Sequence, residues 1–147
     1  MTNKNNKVKH HEIPVSVNLI LEKQSKILLS LRHNDCIDGN KWGFVAGHLE
    51  SGETPRQAMI REVKEELGIS ICQDDLLPPL VVHGSDPEYL GFIFRCLKWE
   101  GEIKNHEPHK CQRLEFFELN GLPDNIVGYV KKSIYELYND NQYIEVS

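Results

Sequence analysis

The sequence predicts an α/β domain in which a mixed β-sheet lies between helices, an α/β/α sandwich. Three observations predict it. Strand-like apolar runs lie on either side of one strongly capped helix. A second amphipathic helix follows the last of the long strands. No repeat, low-complexity linker or break in composition divides the 147 residues. A chain of this length supports one sizeable core and not two. Strands grouped around two helices imply a sheet covered on both faces. The domain is expected over residues 12–140, with polar tails over 1–11 and 141–147.

Each element has a local reason. Ile13, Val15, Val17, Leu19 and Leu21 alternate along the chain, the period of a half-buried strand. A polar turn over 22–25 leads to a second apolar run over 26–31, so the two predict a hairpin. Residues 41–45 read as a short strand entering a loop punctuated by Gly43, Gly47 and Gly52. Thr54 is a good N-cap, Pro55 suits the first helical position, and Gln57 completes a capping box. Gly68 is a natural stop, which predicts a helix over Pro55–Leu67.

Beyond that helix, residues 69–72 can begin another strand, and 73–79, with two acids and two prolines, read as a loop. Residues 80–83 and 89–99 are strand-like around the turn Gly84-Ser85-Asp86-Pro87, and 111–119 form a further strand. Asp124 or Asn125 is the expected cap of the second helix. Its apolar face carries Ile126, Val127, Val130, Ile134 and Leu137, and it ends near Asn139.

Composition narrows the function classes. The chain has 39% apolar and 27% charged residues, an ordinary globular balance. Its net charge of −5 argues against nucleic acid as a partner. Nucleotide substrates stay open, because bound divalent ions invert the local field. Cys36, Cys72, Cys96 and Cys111 show no C-x-x-C spacing and read as reduced thiols. The N-terminal MTNKNNKVKHH has no apolar segment, and no run approaches membrane-spanning length. A cytoplasmic monomer or homodimer without membrane association is the expectation.

The chemistry concentrates on the first helix. At about 100° per residue, Glu62, Glu65 and Glu66 fall on one arc, beside an apolar arc of Met59, Ile60, Val63 and Leu67. Like charges one turn apart repel. Such a cluster reads either as a solvated acidic face or as oxygen ligands suited to Mg²⁺ or Mn²⁺. Arg61, beside these acids, is suited to a bidentate pair with Glu53.

The segment GHLESGETPRQAMIREVKEELGI fixes Gly47, Glu53, Arg61, Glu62, Glu65, Glu66 and Gly68 at set offsets, with aliphatic Val63 and Ile69. It resembles the Nudix box, G-x5-E-x7-R-E-U-x-E-E-x-G-U, with every specified position filled. The segments SVNLILE, DGNKWGFVAGHLESGE, EPHKC and LPDN are similar to those of small MutT-like members. The resemblance implies a Nudix-type sandwich that hydrolyses a nucleoside diphosphate linked to another group. Divalent metal, Mg²⁺ with Mn²⁺ as the alternative, is the implied cofactor, and a nucleotide-type small molecule is the implied substrate.

Residue by residue, the resemblance makes Glu62, Glu65 and Glu66 metal ligands, together with the Gly47 carbonyl. Glu53 and Arg61 brace the loop against the helix, and Glu62 is the expected general base. Glu107 stands where relatives supply another acid, with Glu102 as its alternative. Asn125 matches a base-reading position and is equally suited to capping a helix. Phe44 and Arg32 complete the expected substrate-binding residues; Trp42 and Tyr89 can stack on a base or fill the core.

One departure stands out: Val45 occupies a position that is commonly proline in relatives. Two non-hydrolytic readings also exist. A nucleotide sensor is disfavoured because all box carboxylates are present. Isoprenoid diphosphate isomerisation, which needs a cysteine and a glutamate, would have to draw on Cys36 or Cys111.

Overall fold

The computed structural model describes residues 8–147. Part of the expected 1–11 tail therefore lies outside the described residues; 8–14 carry no regular secondary structure. Eight strands follow: β1 (Val15–Lys23), β2 (Lys26–Arg32), β3 (Trp42–Gly43), β4 (Val45–His48), β5 (Leu80–Ser85), β6 (Glu88–Cys96), β7 (Cys111–Glu118) and β8 (Tyr143–Val146). The helices are α1 (Pro55–Leu67) and α2 (Gly128–Tyr138).

The sheet runs β3-β2-β1-β6-β5-β8, with β4 also paired to β1 and β7 to β2. It is mixed: β1 and β6 are parallel, as are β5 and β8, while the remaining strand pairs are antiparallel. Two apolar clusters lie on opposite faces. Val17, Leu19 and Leu21 pack with Met59, Val63 and Leu67 of α1. Ile20, Ile27, Leu29 and Ile93 pack with Val130 and Ile134 of α2. The predicted sandwich is the observed architecture.

Strand β1 is buried on both sides over Val17–Leu21 rather than half-buried. Odd positions face α1, and Ile20 faces α2. This two-sided burial is what a central strand of a covered sheet requires. It also puts Asn18, only 3% exposed, on the α2 face.

Helix α1 forms as its local signals dictate. Thr54 accepts from the Gln57 backbone N–H at 3.2 Å, and the Gln57 side chain accepts from the Thr54 N–H at 2.9 Å. Gly68 terminates the helix in the left-handed region at φ 72°.

Three expectations are corrected. Residues 69–72 do not form a strand: Ser70 alone bridges Glu100, while Ile69 and Ile71 are buried in the core. Neither Asp124 nor Asn125 caps α2, which begins at Gly128 after Val127. The reason is tertiary: Trp42 N–H donates to Asn125 O and Val127 N–H to Trp42 O, both at 2.9 Å, holding this segment extended against β3. Residues 141–147 do not form a tail either. Tyr143-Ile144-Glu145-Val146 has a period-two pattern with Ile144 buried, and it covers the open edge of β5.

Candidate active site

Arg61 links the loop after β4 to α1. Its Nε donates to Glu53 Oε1 at 2.5 Å and its Nη2 to Glu53 Oε2 at 3.1 Å. Nη2 also reaches His48 O at 3.1 Å, and Nη1 reaches Glu62 Oε1 at 2.9 Å. Glu53 further accepts the Glu50 backbone N–H at 2.9 Å. The Arg61 guanidinium and the Glu50 N–H hold the Glu53 carboxyl below its ordinary range. The predicted pair between Glu53 and Arg61 is present and bidentate.

Gly47, in β4 beside β1, faces the Glu62 side chain. A Cβ at Gly47 would overlap the Glu62 carboxyl carbon. The missing side chain is thus what lets this carboxylate lie against the strand.

The loop between β6 and β7 docks on the C-terminal end of α1. Lys104 N–H donates to Leu67 O at 3.0 Å and His106 N–H to Glu66 O at 2.9 Å, satisfying carbonyls the helix leaves open. Asn105 then fixes the turn. Its Oδ1 accepts the Glu107 N–H at 3.0 Å, and its Nδ2 donates to Cys111 O at 2.7 Å. Glu107 is thereby brought to the same cleft as Glu66.

The cleft has a volume of about 630 Å³, within the range of small-ligand sites. Gly47, Glu62, Glu66 and Glu107 line one part of it. Glu65 does not line it: its side chain is 54% exposed and meets Arg61 Nη1 at 3.4 Å. Burial pushes the Glu66 carboxyl up to about 8, and the charges of Glu62 and Glu107 add to the rise against an opposing pull from Lys110. Such a group holds its proton near neutrality unless positive charge comes close.

This all-oxygen donor set suits Mg²⁺ or Mn²⁺. Among the described residues, no three His, Cys, Asp or Glu side chains are gathered closely enough to hold an ion unaided. Mg²⁺ commonly completes its shell with water and substrate phosphate, which these few carboxylates leave room for.

Arg32 and Phe44 line the same cleft, joined by residues the sequence did not single out: Ser16, Asn18, Asn105 and Tyr129. Arg32 Nε donates to Ile37 O at 2.7 Å. Phe44 meets Tyr129 with ring centroids 6.4 Å apart. Asn125 does not line the cleft. Its amide donates to Asn40 O at 2.8 Å, which serves the loop and not a ligand. Trp42 is core, edge-on to Phe117 at 4.8 Å, and Glu102, His106 and His109 lie outside the cleft. Cys36 and Cys111 also line the cleft, and burial raises the Cys111 thiol.

The NUDIX domain family model matches residues 11–138, and the chain belongs to this family of hydrolases acting on acid anhydrides. It is a small MutT-like member. It is 32% identical over 109 residues to the 8-oxo-dGTP diphosphatase of Escherichia coli strain K12, covering 74% of this chain and 84% of that one. It is 36% identical over 111 residues to the ADP-ribose pyrophosphatase of Methanocaldococcus jannaschii, of whose length it spans 64%. The fold matches the crystal structure of a MutT NUDIX hydrolase from Burkholderia pseudomallei with a TM-score of 0.75 at 22% identity, covering 86% of this chain and 99% of that one. Members of the family generally use divalent metal ions. Among the described residues, no helix is long and apolar enough to cross a membrane.

Proposed function

We propose that the chain is a Mg²⁺-dependent pyrophosphohydrolase of nucleoside triphosphates, releasing a nucleoside monophosphate and pyrophosphate. The observation that carries this reading is the meeting of Glu62, Glu66, Glu107 and Gly47 in one cleft whose walls also include Arg32, Phe44 and Tyr129. Acidic groups occupy the part suited to metal and phosphate. Aromatic groups occupy a part suited to a nucleoside.

Glu62, Glu66 and Glu107, with the Gly47 main chain, would hold a divalent ion together with water and substrate phosphate. Glu65, at the exposed side of the same turn, contributes at the rim. A divalent ion held there would supply neutralisation of phosphate charge and a lowered pKa for the attacking water. Water oxygen attacks phosphorus as the bond to the leaving phosphate breaks, and one carboxylate must take the water proton. Glu62 is assigned this step, because Arg61 and the open space at Gly47 orient its carboxylate. Glu53 acts through Arg61 and touches no reacting atom.

Two substrates have specific support. Similarity to an 8-oxo-dGTP diphosphatase favours a damaged or ordinary triphosphate. Similarity to an ADP-ribose pyrophosphatase favours a nucleoside diphosphate linked to a sugar, with the same chemistry and a phosphorylated sugar as product. Pyrophosphate release from triphosphates, set beside nucleoside monophosphate release from ADP-ribose and nucleotide sugars, tests the reading. Pyrophosphate from a triphosphate, in the presence of Mg²⁺, is the expected result; turnover confined to ADP-ribose or nucleotide sugars selects the second reading.

A further inference from the structure

We propose that Asn18 reads the heterocycle of the bound nucleotide as a fixed hydrogen-bond acceptor, favouring bases with an exocyclic amine over their oxo counterparts. The inference rests on the nucleotide reading above and adds a specificity residue to it.

Asn18 lies mid-way along the central strand β1, flanked by buried Val17 and Leu19, and is itself only 3% exposed. A position so deep in a sheet is normally apolar, and a polar group placed there is expected to have its hydrogen bonds satisfied. Its carboxamide nitrogen lies 3.3 Å from Ser16 Oγ and 3.4 Å from Phe92 O. A carbonyl only accepts, so Phe92 O fixes which end of the amide is nitrogen. The amide oxygen is left with no hydrogen-bond partner among the described residues, and Asn18 lines the same cleft as the acidic groups.

A second observation falls on the same patch. The Tyr89 hydroxyl is buried without a hydrogen-bond partner among the described residues. Its ring covers Gly84, where a Cβ would overlap it, and passes Gly91, where a Cβ would lie 3.3 Å from Ser16 Oγ and 3.6 Å from Asn18 Nδ2. Tyr89 packs on Tyr129 at 6.1 Å between centroids, and Tyr129 on Phe44. Phe44 and Tyr129 thus line the cleft beside the polar Ser16 and Asn18, with Tyr89 packed behind Tyr129. An acceptor there pairs with the amine of cytosine or adenine, or the 2-amine of guanine. It faces another acceptor when uracil or hypoxanthine presents an oxo group at that place.

The test is calorimetric binding of nucleoside monophosphates to the wild type, Asn18→Leu and Asn18→Ala, comparing CMP with UMP and AMP with IMP. Binding needs no turnover, so a chain that hydrolyses nothing sinks the proposed function and leaves this test intact. The expected result is that the wild type prefers the amine-bearing partner of at least one pair by about tenfold, and that both variants narrow this to within about twofold. The leucine variant keeps the side-chain volume, and melting curves of both variants separate lost recognition from lost folding. Equal binding of every pair by the wild type, or a preference unchanged in a folded variant, overturns the proposal.

Discussion

Gly47 and Glu62 face each other across the junction of β4 and α1 so closely that a methyl group on Gly47 would overlap the Glu62 carboxyl carbon. The overlapping atoms are the end of a flexible side chain, so the strain is relieved by moving Glu62 and not by unfolding. Gly47→Ala is therefore expected to fold with a near-normal melting temperature while turnover falls at least about tenfold, roughly 1.4 kcal/mol of transition-state stabilisation. Thermal melting alongside kcat checks this. A normal kcat in the alanine variant would show that Glu62 has no fixed place in catalysis.

Arg61 spans Glu53, His48 O and Glu62 with one planar group. A lysine has the charge but not the fork. Arg61→Lys is expected to lose at least about tenfold in kcat, with a smaller loss for Glu53→Gln, since Glu53 acts only by holding the arginine. Steady-state kinetics with kcat and KM separated is the check. Full activity in Arg61→Lys would leave only a charge requirement.

The acids are expected to separate by their place in the cleft. Glu66→Gln and Glu107→Gln should each reduce turnover by about tenfold or more, and Glu102→Gln should leave it unchanged. Glu65→Gln, at the exposed rim, should cost less than Glu66→Gln. Turnover at saturating Mg²⁺ ranks the four. A larger effect at Glu102 than at Glu107 would reverse the assignment of the late acidic residue.

Stability should also depend on pH through Glu66. Its carboxyl stands at about 8 in the fold against an ordinary 4.5. Between those values the folded protein binds the extra proton, so stability is full below about 4.5 and is lost as pH rises towards 8. The slope for one proton is at most about 1.4 kcal/mol per pH unit. Glu53 runs the other way: its lowered carboxyl contributes stability above its ordinary range, lost in acid. Melting temperatures in chelator should fall across the upper window, and Glu66→Gln or added Mg²⁺ should flatten the decline. A Glu66→Gln profile parallel to that of the wild type would refute the assignment.

What was legible in the sequence was local. The Thr54 and Gln57 capping box, the Gly68 stop and the helical spacing of Glu62 and Glu66 are all set within a few residues, and the structure carries them as read. What was missed was non-local. The start of α2 depends on Trp42 holding Asn125 and Val127 extended, and β8 forms because β5 offers an edge. The LPDN motif offers Asn125 as a base reader or a helix cap, yet its amide donates to Asn40 O. Asn18 sits inside an apolar strand, and its place in the cleft wall and its contact with Phe92 O come only from the tertiary fold. The single available signal was an asparagine among Val17, Leu19 and Ile20.

The central claim is that carboxylates from α1 and the loop before β7 bring a divalent ion to a nucleotide diphosphate bond. Its most direct test is the rate of pyrophosphate release from the best triphosphate as Mg²⁺ is titrated, for the wild type and Glu62→Gln. The account predicts a rate that rises from zero with Mg²⁺ and falls at least about a hundredfold in the variant, in keeping with loss of a general base. Hydrolysis that proceeds equally in chelator, or a Glu62→Gln rate equal to the wild type across the titration, would contradict it.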